Sequence, residues 1–225
     1  MEKNKSKIRI GFWIVLIIIS ALFGGIMAAL DLNDSIKKIL TAAFLCAAAL
    51  TSVTIDLMWY REFNKKLRSL HPILLQEHNP DHYISEINSL LTGIKSPQVR
   101  SVLLLNLSAA YCEKKEYYTA KDLLLQINPR KLTGINKFVY WADLAYVHFY
   151  LQENEKAILI LDQQKTPFSK LGNNSHLGGL LSILSIFRKL GEGDQPGARQ
   201  LLEQAQPQWK NEHTAPDFEY LKRLC

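Results

Sequence analysis

Cysteine is scarce in this chain, with three residues among 225 and no CxxC pair. This scarcity excludes a disulfide-stapled mini-protein and argues against a structural zinc site. A basic stripe on a folded domain is also missing. The net charge is +6, but ten basic and five acidic residues lie in 1–68, so residues 69–225 are nearly neutral. We therefore predict that the chain does not bind nucleic acid.

The segment 11–30 contains no charged residue and is dominated by large apolar side chains. On the membrane-insertion scale these side chains favour the bilayer by about 5 kcal/mol, and the helical length of the segment matches a hydrocarbon core of about 30 Å. A cleaved signal peptide is the alternative, but its apolar stretch is usually shorter, about 7–15 residues. We predict a transmembrane span over about 10–30.

A second apolar run, residues 39–60, contains one charge, Asp56, placed one turn before Trp59 and Tyr60. A carboxylate near the interface reaches water at much lower cost than one at the bilayer centre. We predict a second span over about 38–60. Because the connecting segment is short, the two spans form an antiparallel transmembrane hairpin over residues 10–60.

Basic residues flank the outer ends of both spans. They are Lys3, Lys5, Lys7 and Arg9 before the first span, and Arg61, Lys65, Lys66 and Arg68 after the second. The connecting loop, from Asp31 to Lys38, carries two acidic and two basic residues. The positive-inside rule then places both termini in the cytoplasm. We predict a multi-pass cell-membrane protein with a basic cytoplasmic N-terminus (1–9) and a basic juxtamembrane segment (61–79).

Small residues recur every four positions along the first span. They are Ser20, Gly24 and Ala28, repeated one step on by Ala21, Gly25 and Ala29. Small side chains let helix backbones approach closely, which holds helices together in lipid. We predict that this face packs against a set of small residues in the second span, namely Ala42, Ala43, Cys46 and Ala47. The same pattern is compatible with dimerisation.

Beyond residue 60 the apolar spacing is helical throughout, and all eight prolines lie in this part. Asn79-Pro80 and Ser96-Pro97 are typical helix starts, with an N-cap residue followed by proline at the first helical position. No segment combines sustained alternation of polar and apolar residues with turn dipeptides, the usual signal of a hairpin. The run 157–161 would also fit a buried strand, but nothing separates it from the residues before it, which favours helix.

A pattern of large, small and aromatic residues recurs in this region. The first copy comprises Leu104, Leu107, Ser108, Tyr111, Tyr117, Ala120, Leu124 and Ile127. The second copy comprises Trp141, Leu144, Ala145, His148, Ala157 and Leu161. The third copy comprises Leu181, Leu184, Ser185, Ala198, Leu202 and Ala205. A small residue in each helix lets two helices pack closely, while the large residues fill the space towards the next pair.

This spacing resembles that of the tetratricopeptide-repeat (TPR) family. The resemblance covers residues 80–213, with about three copies preceded by a degenerate half repeat that contains Tyr83 and Leu90. It implies a solenoid of helical hairpins whose first helices line a concave, peptide-binding face. A capping helix over 214–225, with Phe218, Leu221 and Leu224 on one stripe, would cover the last repeat. The predicted fold class is all-α, a transmembrane hairpin followed by a short TPR-like solenoid with a C-terminal cap.

No catalytic or metal-binding motif is present. Pro80 separates His78 from His82 and breaks the helical spacing that a metal pair uses. The glycines at 191, 193 and 197 follow a helix and not a strand, and they lack the lysine of a P-loop. The other histidines (71, 148, 176 and 213) have no serine or cysteine partner within a recognisable motif. We predict no enzyme activity, no metal, no cofactor and no small-molecule substrate.

The resemblance also implies candidate partner-binding residues on the concave face, namely Asn106, Asp143, Tyr146, Phe149 and Tyr150. Asn106 and Asp143 occupy the position from which family members often hydrogen-bond a peptide backbone. The three aromatic side chains would form a platform for an apolar or extended peptide. The alternative is that neighbouring helices cover these rings as part of the core.

The combination predicts a membrane-anchored, non-enzymatic interaction module that presents a TPR-like surface to the cytoplasm. Its expected partners are a protein or peptide and, through two spans, the lipid bilayer. The alternative is an accessory subunit of a membrane complex that acts through its transmembrane hairpin. Tethering favours the first reading, because it raises the effective concentration of a partner at the same membrane.

Overall fold

The computed structural model describes residues 2–30, 33–175 and 177–225. Within these ranges the chain forms eleven α-helices, one short 3₁₀ turn and no strand, which confirms the predicted all-helical class. Asp31 and Leu32 of the predicted loop, and His176, lie outside the described residues. The side chains at 2–7, including those of Lys3, Lys5 and Lys7 in the predicted basic flank, lie outside them as well.

The chain divides into two compact units, residues 1–72 and 73–225. The run 157–161 is helical, as predicted. In chain order the helices are α1 (Glu2–Ala29), α2 (Asp34–Leu75), α3 (Pro80–Leu91), α4 (Pro97–Glu113), α5 (Tyr117–Leu125), α6 (Ile135–Tyr150), α7 (Asn154–Gln163), α8 (Lys165–Ser169), α9 (Gly178–Gly191), α10 (Gln195–Trp209) and α11 (Ala215–Leu224).

The first unit contains two helices that are long and apolar enough to cross a membrane. The most apolar stretches of α1 and α2 have mean hydropathies of 2.5 and 1.8. Their large apolar side chains are exposed, including Ile17 (67%) and Leu50 (68%). Such a surface is unfavourable in water and suits lipid. α2 continues beyond Tyr60 without a break, so the basic residues at 61–68 belong to the same helix as the second apolar run.

The two apolar helices do not meet through the predicted small-residue face. Phe23 of α1 stacks on Phe44 of α2 with ring centroids 4.7 Å apart. A Cβ atom added at Gly24 or Gly25 would have no other atom within 4 Å, so these glycines face away from α2. Successive residues of a helix point about 100° apart, and turning Phe23 towards α2 therefore turns the glycines outwards. The prediction that Ser20, Gly24 and Ala28 pair the spans was wrong.

Most helices of the second unit pack against their neighbours in the chain. α3 packs against α4, α4 against α5, α6 against α7 and α9 against α10. In addition, α5 contacts α6, and α9 contacts both α6 and α7, so each helical hairpin packs against the next. α3 begins as predicted, because the side chain of Asn79 accepts a hydrogen bond from the backbone N–H of His82 at 3.1 Å.

Three hairpins, α4–α5, α6–α7 and α9–α10, turn in the same way. The middle residue of each turn has a left-handed backbone, with φ of 60° at Lys115, 60° at Gln152 and 78° at Gly193. The following residue donates its N–H to the carbonyl five residues earlier, over 2.8–2.9 Å in all three turns. This geometry closes the C-terminus of the first helix of each hairpin. The equivalent turns support an internal repeat, while the TPR-like superhelix stays a prediction.

The small residues of the repeat pattern are mostly buried. Those with no exposed surface are Ser108, Ala120, Ala145, Ala157 and Ala198. Ser185 is exposed, so the prediction that this small residue is buried between the paired helices was wrong. It lines a groove of about 420 Å³ together with residues of α7, α8, α9 and α10.

A cluster of charges around Glu153 joins α5, α6 and α7. The Glu153 carboxylate accepts a hydrogen bond from Lys121 Nζ at 2.9 Å and lies 2.5 Å from Nδ1 of His148. Lys156 Nζ lies 3.3 Å from Oε2 of the same carboxylate. The hydrogen bond from Lys121 is the main reason that the pKa of Glu153 falls from 4.5 to about 2. Burial lowers the pKa of the His148 imidazole.

We expect Glu153→Gln to lower the free energy of unfolding by about 1–2 kcal/mol at neutral pH, because it removes charged hydrogen bonds from a half-buried group. The folded-state pKa of Glu153 lies below its unfolded value of 4.5. Its stabilisation is therefore complete above about pH 5 and is lost as the pH falls towards about 2. Urea denaturation at neutral and at acid pH measures both effects. The exposed Glu155→Gln is the matched control, and equal stability of the two variants at neutral pH would contradict this role.

Candidate functional site

A cleft of about 550 Å³ opens among α4, α6, α9 and α11 in the second unit. Its aromatic wall consists of four tyrosines, Tyr117, Tyr146, Tyr150 and Tyr220. Its charged and titratable lining groups include Cys112, Glu113, Lys115, Asp143, His213, Asp217 and Arg223. Leu180 of α9 is a half-buried apolar side chain of the lining. The cleft therefore combines ring surfaces with carboxylates.

Tyr150 is the centre of the aromatic wall. Its ring stacks on Tyr117 with centroids 4.5 Å apart and, more loosely, on Tyr220 with centroids 5.3 Å apart. The Tyr146 ring lies 4.7 Å from it in a tilted arrangement. Because Tyr146 and Tyr150 are one helical turn apart on α6, both rings lie on the same face of that helix. The wall therefore joins α5, α6 and α11.

Asp217 connects α11 to this wall. Tyr146 donates its hydroxyl hydrogen to Asp217 Oδ1 at 2.9 Å, and Tyr150 donates to the same oxygen. Burial nevertheless raises the pKa of the Asp217 carboxyl, and the tyrosine hydrogen bonds oppose that rise. These contacts place α11 along one side of the cleft and fix the orientation of both hydroxyl groups.

Asp143 lines the cleft without a counter-charge. Within the part of the chain that the structure describes, its carboxylate has no hydrogen bond and no ion pair. Burial raises the pKa of Asp143 from 3.8 to about 7. Burial also raises the pKa of Glu113 on α4. Removing a carboxylate from water disfavours its charged form unless a cation lies nearby. A positively charged group placed in this part of the cleft would therefore stabilise the ionised carboxylates.

The Cys112 thiol is not activated. Burial raises its pKa well above the usual value, and the negative charge of Asp143 raises it further. A thiol is nucleophilic as its thiolate, which this environment disfavours.

Among the side chains that the structure describes, no group of three or more His, Cys, Asp or Glu residues could hold a metal ion. His78 pairs with Glu212 at 3.0 Å, whereas His82 lies 4.0 Å from Glu86, so the two histidines have different carboxylate neighbours.

Three of the five candidate residues meet at the cleft, and two do not. Asp143, Tyr146 and Tyr150 line it and are half-buried. Phe149 is only 4% exposed and stacks on Phe187 at 5.3 Å, so it belongs to the core and is not available to a partner. The reason is its position between Tyr146 and Tyr150, which turns it towards α9 while they turn towards α11.

Asn106 already has partners for its side-chain amide. Its Oδ1 accepts a hydrogen bond from the Tyr83 hydroxyl at 2.9 Å, and its Nδ2 donates to the Val102 carbonyl at 2.8 Å. The bond from Tyr83 connects α3 to α4, while the bond to Val102 lies within α4. Each bond uses one of the two hydrogen-bonding sites on its atom, so the amide is held in place but not fully used. Asn106 therefore helps to position α3, and its contact with a peptide stays a prediction.

Sequence reasoning missed several residues that line the cleft, among them Tyr117, Asp217 and Tyr220. Tyr117 was assigned only to packing within the repeat, and α11 only to capping. α11 does pack against α9 and α10, with Phe218 and Leu221 completely buried, but Leu224 is 41% exposed and does not belong to the buried stripe. Asp217 and Tyr220 lie three positions apart on another face of the same helix, and that polar-aromatic pair was the available signal.

Comparisons with known proteins give no relative for this chain. No protein-family model, no curated protein and no solved structure matches it.

Proposed function

We propose that this protein is a non-enzymatic, membrane-anchored interaction module. Its two apolar helices form a hairpin in the bilayer, and its helical second unit offers a peptide-binding surface to the cytoplasm. The observation that carries the proposal is the tyrosine-walled cleft, in a chain that also has two exposed apolar helices of membrane-spanning length. The TPR-like spacing of the repeats supports a peptide as the type of partner.

The orientation follows from charge. Arg9 precedes the first apolar run, and Arg61, Lys65, Lys66 and Arg68 follow the second on α2. Cytoplasmic flanks are enriched in lysine and arginine, so both ends of the hairpin and the whole second unit lie in the cytoplasm. A cleft fixed to the membrane in this way encounters membrane-bound partners at high effective concentration.

The cleft suits a peptide better than a metabolite. Four tyrosines from α5, α6 and α11 line it, together with charged side chains. Tyrosines supply large, rigid contact surfaces that lose little conformational entropy on binding, which is why protein interfaces are rich in them.

Site-specific photo-crosslinking in intact cells tests this function. A photoreactive phenylalanine derivative replaces either Leu180, which lines the cleft, or Leu159 on α7, which is 56% exposed and lies elsewhere. We expect a discrete cross-linked partner from position 180 and none from position 159. The same yield at both positions, or no adduct at position 180, would contradict a binding role for the cleft.

A second candidate function is that of an accessory subunit acting through the hairpin. The outward-facing Gly24 and Gly25 favour it, because small residues on a lipid-facing surface allow close approach of another helix. Replacing residues 10–60 by an unrelated transmembrane hairpin separates the two functions. The cross-link from position 180 survives that replacement if the cleft binds the partner, and it disappears if the hairpin does.

A further inference from the structure

The negative charge of the Asp143 carboxylate is not balanced by any partner that the structure describes within the cleft. Its carboxylate has no hydrogen bond or ion pair among the described residues, yet it lines an open cleft. An unpaired, poorly hydrated charge is costly, and such groups in proteins are normally paired. The carboxylate can be neutralised by a proton, which its raised pKa favours, or by a cation that a ligand brings into the cleft.

The basic groups of the cleft do not supply this partner. Arg223 lies over the Tyr220 ring at 5.8 Å, and Lys115 acts electrostatically on Asp217. Neither forms an ion pair with Asp143 within the described residues. The titratable groups that α4 contributes to the lining, Cys112 and Glu113, add no positive charge.

We propose that the cleft binds a lysine or arginine side chain of a partner peptide, with Asp143 as its carboxylate and Tyr146 and Tyr117 as its aromatic neighbours. This inference rests on the proposed interaction function and specifies its ligand. A cationic side chain forms charge-assisted hydrogen bonds with a carboxylate and is attracted to the faces of aromatic rings. An acidic peptide would meet Glu113, Asp143 and Asp217 with like charge, and a neutral peptide would leave Asp143 unpaired.

The proposal predicts a proton-linked binding reaction. The other groups that line the same cleft and can carry charge are Cys112, Glu113, Lys115, His213, Asp217 and Arg223. Because burial raises the pKa of Asp143 to about 7, part of the free protein is protonated there at neutral pH. A cationic ligand favours the carboxylate, so binding releases that proton and weakens as the pH falls below 7.

The test uses the full chain in lipid nanodiscs and an array of random peptides of equal length. The peptides are N-acetylated and C-amidated, so that only side chains carry charge. We expect the bound peptides to be enriched in lysine or arginine. Asp143→Asn should weaken binding of a selected peptide roughly 10- to 100-fold, the factor that corresponds to losing one charged hydrogen bond. Asp122→Asn, an exposed change on α5 with the same loss of charge, should leave binding unchanged.

Calorimetry of the unmodified chain with a selected basic peptide, in buffers of different ionisation enthalpy, should detect the released proton and does not depend on any variant. Selection of neutral or acidic peptides, or full affinity in Asp143→Asn, would overturn the cationic ligand and leave the interaction function in place. Binding of a basic peptide without proton release would show that Asp143 is already ionised in the free cleft and would overturn the proton linkage. An array on which no peptide binds would overturn the peptide-binding function itself.

Discussion

Phe218→Ala is expected to lower the free energy of unfolding of the helical unit by about 3–5 kcal/mol, the usual cost of removing a fully buried phenylalanine ring. Phe218 has no exposed surface, and its helix α11 packs against α9 and α10. Removing the ring leaves a cavity, because the surrounding side chains collapse only partly around the space. A loss of this size is a large share of the stability of a typical domain.

Phe218→Ala should disturb the packing of the cleft as well as that of the core. Asp217 directly precedes Phe218, and its carboxylate accepts the hydrogen bonds of Tyr146 and Tyr150. A loosened α11 would release both hydroxyls and remove Tyr220 from the aromatic wall. Cross-linking from position 180 should therefore decline in the same variant.

Leu224→Ala is the matched control for this prediction. Leu224 is on the same helix but is 41% exposed, so its truncation should change the free energy of unfolding by no more than about 0.5 kcal/mol. Urea denaturation of the full chain in detergent micelles, followed by circular dichroism, compares the two. Equal stability of the two variants would mean that α11 is not packed as described.

The local features of this fold could be predicted from sequence. Long apolar segments with at most one charge predicted the two apolar helices, because length and hydrophobicity largely decide whether a helix suits a bilayer. Asn79 followed by Pro80 gave the start of α3, because an N-cap bond involves only neighbouring residues. The burial of small residues such as Ala120 and Ala157 followed from helical periodicity in the same way.

The features that the sequence did not predict depend on how each helix is oriented about its own axis and on which neighbouring helix covers it. The glycines at 24 and 25 do not contact α2, because the first helix is rotated so that Phe23 packs against α2 instead. Residue spacing alone does not show which of two possible helix faces makes the contact. Asn106 accepts a hydrogen bond from Tyr83 of the preceding helix, and Tyr150 donates to Asp217, 67 residues further along the chain. A sequence pattern records the spacing within each helix and not these distant pairings.

The most direct test of the account is the side of the membrane on which the helical unit lies. In a variant whose three cysteines are replaced by serine, one new cysteine is introduced by Ser35→Cys, at the exposed start of α2, or by Tyr118→Cys, at a residue of α5 that is 71% exposed. Intact cells are then treated with a membrane-impermeant maleimide. We expect the cysteine at position 35 to be labelled at once, and the cysteine at position 118 to be labelled only after the membrane is permeabilised, because the basic flanks of the hairpin stay in the cytoplasm. Labelling at position 118 in intact cells, with position 35 protected, would contradict a cleft presented to the cytoplasm.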